Sequence, residues 1–340
     1  MSLPSPYDSF PECKEPWAQR LHVTFSSILS RFSTTKCLIT DPPKIDFYVL
    51  EHGEPNAFAT KTENGYAVAF PKGLYELVAR LHFSILADPR TFLAIGDPTA
   101  ETVLAVDHVV LLDDFVSEME KRADRIPKDP TRVHFANHLT ELSLRFIVAH
   151  ELCHVLLGHM EFTGTLHKET DTFTSLSEEQ NFGIEMHADE IAFTQCVFWI
   201  IDSLSGVETD SPKGIFIQTN DAQFQDLYLG AYAIFELFSH LVMSNSHPNP
   251  LHRQIRLGVI LDYLCDAYKI PLINKPHELV AQAFVLFDEY MKSVFNIDWS
   301  DRKQETELIY KHLDDELSPY DEYVKALLPE LKSKTHLKLD

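Results

Sequence analysis

The amino-acid sequence predicts an α+β chain that is mainly helical, with one small antiparallel sheet near its N-terminus. Three observations carry this expectation. Apolar residues recur three and four positions apart in long segments between Pro16 and Leu317. β-Branched and aromatic residues gather in Ile45–Leu50 and Tyr66–Phe70. Asn64-Gly65, just before the second of these, is a strong hairpin signal. At 340 residues and 45% hydrophobic, the chain can bury a large core, as one large domain or two closely packed ones.

Residues 1–14 read as an irregular arm. Pro16–Phe32 has helical spacing, and Asp41-Pro42-Pro43 stops any helix. Ile45–Leu50, Ala57–Thr60 and Tyr66–Phe70 supply the strands. Gly73–Ala87 is a helix with Leu74, Leu77, Val78, Leu81 and Ile85 on one side. Asp88–Asp97 is a loop, and Thr102–Ile126 a helix closed by Pro127 and Pro130. A long buried helix runs from Arg132 to Gly158, then a polar surface loop from Glu161 to Asn181, then a second buried helix from Phe182 to Leu204. After a loop with a short strand at Gly214–Gln218 come helices at Ala222–Met243, Leu251–Tyr268, Glu278–Val294 and Arg302–Leu317, and a Lys-rich tail expected to fray. Three parts are expected: residues 1–132 with the N-terminal helices, sheet and a helical insertion; 133–270 with the central helices; and 271–340 as a helical extension.

A formal charge of -22 argues against binding nucleic acid or anionic membranes, which needs clustered Lys and Arg. The five cysteines are scattered and odd in number, which points to a reducing compartment without a disulfide framework. The opening MSLPSPYDSFPECKEPW is Pro-rich and acidic, unlike a signal peptide. The most apolar segments, Ile191–Leu204 and Leu227–Met243, are broken by Gln195 and Asp202 and by Glu236 and His240, so no membrane span is expected. A cytoplasmic location is the expectation.

The most informative stretch is Arg145–Met160, which contains His150-Glu151-Leu152-Cys153-His154, an HExxH motif. On a helix, residues four apart share a face, so both imidazoles can reach one metal ion, with Glu151 beside them in reach of its water. Composition alone would place this motif in roughly one such chain in fifteen, so it needs support from elsewhere.

A catalytic zinc usually has three protein ligands and keeps its fourth position for water. The extended HExxHxxGxxH pattern needs Gly and His where this chain has Leu157 and Met160. His159, roughly 140° round a helix from His154, could join the ion only if the helix ended. Glu185-Met186-His187-Ala188-Asp189-Glu190 on the next buried helix offers another solution. Glu185 and Asp189 share a face. Glu185 can ligate the metal while Asp189 accepts a hydrogen bond from the far nitrogen of a ligand histidine, and small Ala188 lets the helices approach. The competing reading is an amphipathic helix with solvated acids. Flanking Ile184, Ile191, Ala192, Phe193 and Val197 favour burial. His187 points about 160° from Glu185 and is expected at the surface or in packing. Cys153 reads as inert packing.

HExxH followed by Glu185-x-x-Ala188-Asp189 resembles the gluzincin metallopeptidases typified by the CAAX prenyl protease and the heat-shock membrane protease HtpX. Asn56-Ala57-Phe58-Ala59, then YAVAF, then Gly73-Leu74 is similar to the family's NAFA, strand and GL segments. Ser246-His247-Pro248 with Arg253-Gln254-Ile255 is similar to its HP-x(4)-RI motif, with Gln254 interposed. The resemblance implies a zincin-like metallopeptidase core with ligands His150, His154 and Glu185, base Glu151, supporting Asp189, and His247 and Arg253 near the site. Membrane members of that family surround this core with transmembrane helices, which this chain is not expected to have. The long Asp88–Ala149 connection makes the helix at 102–126 look like an insertion. HExxH with Gly158-His159 is also similar to the phage-exclusion Lit-type peptidases.

The expected function is a zinc-dependent endopeptidase that hydrolyses peptide bonds of a protein or peptide substrate. Glu151 is the expected base, and His247 or Arg253 the donor to the developing oxyanion. Tyr66-Ala67-Val68-Ala69-Phe70 is expected as an edge strand on which a peptide aligns. The alternative is a non-proteolytic regulatory or binding protein on the same scaffold, against which the intact Glu151 speaks. A protease of this kind needs restraint, so a regulatory partner, or a cover formed by 161–181 or 88–132, is compatible with this reading. His82, His108, His134, His138 and His240 are read as packing or surface residues.

Overall fold

A computed structural model describes residues 13–34, 43–51, 55–103, 125–163, 166–168, 177–204, 220–241 and 250–296, together with 117, 121, 322, 325, 329 and 335–337. In chain order the elements are α1 (Pro16–Thr34), β1 (Ile45–Leu50), β2 (Phe58–Thr62), β3 (Gly65–Pro71), α2 (Lys72–Leu86), α3 (Pro130–Leu156), α4 (His159–Thr163), β4 (Leu166–Lys168), α5 (Glu178–Leu204), α6 (Asn220–Leu241), α7 (Pro250–Tyr268) and α8 (Pro276–Phe295). The protein is α+β and mainly helical, as expected. The strand expected at Gly214–Gln218, the helix at Arg302–Leu317 and His247 lie outside the described residues, as does most of the helix expected at Thr102–Ile126.

The sheet has the order β1-β3-β2-β4. β2 and β3 form the expected antiparallel hairpin, with Thr62 opposite Gly65. Gly65 sits at φ +149°, and a Cβ there would lie 2.3 Å from the Lys44 carbonyl oxygen, so only glycine turns this corner. β1, however, pairs with β3 in parallel, Ile45 to Tyr66 through Leu50 to Pro71. The sheet is therefore mixed rather than wholly antiparallel. β1 and β2, although consecutive in the chain, are not neighbours, because β3 lies between them. β4 lies within the stretch expected as a loop and adds antiparallel to β2, Phe58 opposite Lys168.

α3 is the central beam. It is apolar on several sides at once, with Phe135, Leu139, Leu142, Phe146, Ile147, Val148, Leu152 and Val155 all buried. α1, α2, α5 and α6 pack round it, the sheet covers it through β2 and β3, and α7 and α8 close the far side against α5 and α6. Its start is well defined: Pro130 occupies the first turn and Asp129 accepts a hydrogen bond from the Arg132 amide at 3.0 Å. Among the described residues, no helix is long and apolar enough to cross a membrane.

Arg132 is fully buried and holds the Asp88–Asp97 loop by its backbone. Its Nε donates to the Leu86 carbonyl at 2.7 Å, one terminal nitrogen to Phe92 and Ile95 at 3.1 and 3.0 Å, and the other to Asp88 and Thr91 at 2.9 and 3.0 Å. One side chain thus reaches five carbonyls at the end of α2 and in the loop that follows, of which those of Asp88 and Phe92 also accept a backbone amide. At the other end of α3, the Leu156 carbonyl accepts from the His336 amide at 2.7 Å and the Thr335 hydroxyl at 3.0 Å. Residues 335 and 336 are fastened here because a helix end offers carbonyls with no partner of their own, while the end of the tail, expected to fray, lies outside the described residues.

His82 on α2 is buried, as its bland reading implied, and its Nε2 donates to Ser143 Oγ at 2.9 Å, which in turn donates to the Gly230 carbonyl at 3.1 Å. Burial, aided by the charge of His138, pushes its pKa down to about 3. Between that value and the ordinary histidine pKa near 6.5, the unfolded chain takes up a proton that the folded one refuses. Stability from this group is complete above pH 6.5 and falls on acidification by about 1.4 kcal/mol per pH unit. His82→Gln should flatten the pH dependence of the denaturation midpoint between pH 7 and 5; an unchanged slope would contradict this assignment. Arg132→Met should lower stability by at least about 3 kcal/mol, since each buried carbonyl left unmade costs about 1–3 kcal/mol. An unshifted urea midpoint would show that the loop does not depend on it.

Candidate metal centre

The last two turns of α3 present His150 and His154 on one face, and their Nε2 atoms lie 2.9 Å apart. α5 crosses α3 closely, with fully buried Ala188 in its contacting stretch. That approach brings the Glu185 carboxylate to 3.4 Å from His150 Nε2 and 3.7 Å from His154 Nε2. All three residues are at most 2% exposed, and one ligand atom from each lies within 4.8 Å of the others. Glu151 is fully buried and lies three residues before His154, next to it on the helix surface.

The Asp189 carboxylate stands behind His150. Its Oδ1 lies 2.9 Å from His150 Nδ1, a placement that favours a proton on that nitrogen and an Nε2 lone pair turned inward. Arg253 on α7 grips the same carboxylate with two bonds, Nε to Oδ2 at 2.7 Å and a terminal nitrogen to Oδ1 at 2.8 Å. The guanidinium also lies 4.2 Å over the Phe235 ring. Burial alone would raise the pKa of Asp189, but the charge and hydrogen bonds of Arg253 and the bond from His150 hold it below the usual carboxylate range.

This donor set suits a metal ion. Imidazole nitrogens and a carboxylate converge in a buried pocket, where their lone pairs repel one another unless a proton or a cation lies between them. Four ligands at about 2.0–2.1 Å around a tetrahedral zinc stand about 3.3 Å apart. The separations here, 2.9 to 3.7 Å, bracket that figure. A second set, Cys13, Glu15 and Glu51, also clusters, but Glu15 is exposed and both carboxylates already hold the Lys72 ammonium at 2.6 and 3.1 Å.

Several expected residues sit differently. Tyr66, Ala67, Val68, Ala69 and Phe70 do not form an edge: β3 is flanked by β1 and β2, so both sides of its backbone are taken and no peptide can add there. Arg253, expected as an oxyanion donor, points two donors at Asp189 instead. Cys153 is buried, and burial pushes its thiol well above the usual range, as inert packing requires.

Two histidines belong to the site although sequence reasoning set them aside. α3 ends at Leu156, Gly158 turns at φ +78°, and His159 opens α4, so the helical projection that separated His159 from His154 does not apply. Its Nδ1 lies 3.0 Å from His154 Nδ1, behind that ring rather than where the three donors converge. Its Nε2 faces His187 Nδ1 at 3.4 Å. His187 is buried, not solvent-facing, and burial lowers its pKa to about 4. The signal that could have placed His159 is Gly158 after an apolar run, a common helix terminator.

Asp189→Asn should cost about 3–5 kcal/mol, because it leaves a buried guanidinium without its counter-charge. Adding Arg253→Met to that variant should recover at least about 1 kcal/mol relative to the sum of the single losses. Strict additivity in denaturant titrations would show that the pair is not a unit.

Comparison with known proteins adds the family. Searches of curated proteins and of solved structures gave no match. Peptidase family M48, compared as a family pattern, matches residues 26–197, just over half of the chain. The matched stretch contains His150, Glu151, His154, Glu185 and Asp189, so the residues that converge here lie within it. On that match the chain belongs to peptidase family M48.

Proposed function

We propose that this member of the family is a zinc-dependent endopeptidase, with the ion held by His150, His154 and Glu185. The single observation that carries the reading is the convergence of these three donors in a buried pocket, with the Asp189 carboxylate 2.9 Å behind one of them. A bound zinc ion supplies Lewis-acid polarisation of the scissile carbonyl and acidifies water.

The chain's own residues do the rest. Glu151 takes a proton from the attacking water and passes it to the leaving amine. Its burial keeps bulk water away from that transfer. Arg253 acts through Asp189, keeping that carboxylate ionised and aimed at His150. Backbone alignment of the substrate falls to the outer strand β4, which pairs with β2 on one side and ends the sheet among the described residues.

Glu151→Gln should keep stoichiometric zinc by elemental analysis and lose at least about 100-fold in cleavage of a peptide library. Full cleavage by that variant would remove Glu151 from the reaction. Glu185→Gln should lose zinc itself. Comparing new N-termini in proteomes exposed to the wild type or to Glu151→Gln would name the substrates.

A further inference from the structure

His150 and His154 are supported by different chemistry. Behind His150 stands a carboxylate, Asp189, at 2.9 Å. Behind His154 stands another imidazole, His159, at 3.0 Å, and behind that a third, His187, at 3.4 Å. The three rings join three helices, since His154 lies on α3, His159 on α4 and His187 on α5. The chain then closes on itself, because His187 is two residues beyond Glu185 on α5.

We infer that His159 is a positioning residue for the ligand His154, taking for that ring the part that Asp189 takes for His150, and that His187 fixes His159 in turn. This rests on the zinc reading above. If His154 offers its Nε2 lone pair to an ion, its proton sits on Nδ1. His159 Nδ1, at 3.0 Å, must then be the acceptor. The remaining proton of a neutral His159 therefore sits on Nε2 and donates to His187 Nδ1. Three neutral rings thus have one consistent arrangement of protons, pointing away from the metal.

The choice of imidazole over carboxylate has an electrostatic reason. Glu151, Glu185 and Asp189 bring three negative charges, all at most 2% exposed. Arg253 and a divalent ion bring three positive ones. With the ion bound the group would be neutral, and a second supporting carboxylate would leave a net buried charge. An imidazole accepts the His154 proton without that penalty. Its anchorage is also built in: α4 is tied to the sheet by Glu161, which accepts from Lys61 Nζ and the Tyr66 hydroxyl, each at 2.6 Å.

The test uses the full chain loaded with zinc and labelled with 15N-histidine. Two-bond 15N–1H correlations should show His154 protonated at Nδ1 and both His159 and His187 at Nε2; a His159 proton on Nδ1 would overturn the inference. His159→Phe keeps a ring but no acceptor, and by chelator competition it should bind zinc about 10–100-fold more weakly. His159→Asn places an oxygen near the Nδ1 position and should recover most of that loss. Unfolding of the metal-free variants reports whether the fold survives, and the wild-type spectrum decides the matter if His159→Phe does not fold. Tight zinc binding by wild type with no change in either variant would sink this inference alone. A wild type that takes up no zinc would sink the zinc reading and this inference together.

Discussion

One carboxylate ties the centre of the molecule together. Asp189 on α5 receives His150 from α3 and two donors of Arg253 from α7, so three helices meet on its two oxygens. Burying these charges is expensive, and only full pairing makes the arrangement tolerable. The same pairing decides which nitrogen of His150 faces Glu185. Packing and ligand geometry are therefore set by a single group, and neither can be relaxed without disturbing the other.

The protein uses a second buried cation differently. Arg132 is as buried as Arg253 but spends its donors on five loop carbonyls. It shapes backbone, whereas Arg253 holds the carboxylate that faces His150. Both exploit the rigid fork of guanidinium, which a lysine ammonium could not reproduce. They sit at opposite ends of the α3 neighbourhood, one at its first turn and one beside its last turns.

Much of this was legible in the residues themselves. Helix spans came out within a few positions for α1, α2, α3, α5, α6, α7 and α8, because apolar periodicity is a local property. The four-residue spacings His150–His154 and Glu185–Asp189 announced shared faces, and the faces do meet. What stayed hidden depends on contacts far apart in the chain. Nothing in YAVAF says that β1 will lie beside it in parallel, so its place in the middle of the sheet could not be read. The partner of Arg253 was likewise invisible, since it lies 64 residues away on another helix. His159 was misjudged for a simpler reason: projecting it on an ideal helix ignored the break at Gly158.

The fastening of Leu156 by Thr335 and His336 spans 179 residues for the hydroxyl bond. A polypeptide emerges from the ribosome N-terminus first, so α3 and its histidines exist well before those two residues do. Until then the Leu156 carbonyl, two positions beyond His154, lacks both of these donors. The far end of α3 is thus held only after 179 further residues have been made, so a nascent chain that has just passed the two histidines has their helix without its fastening.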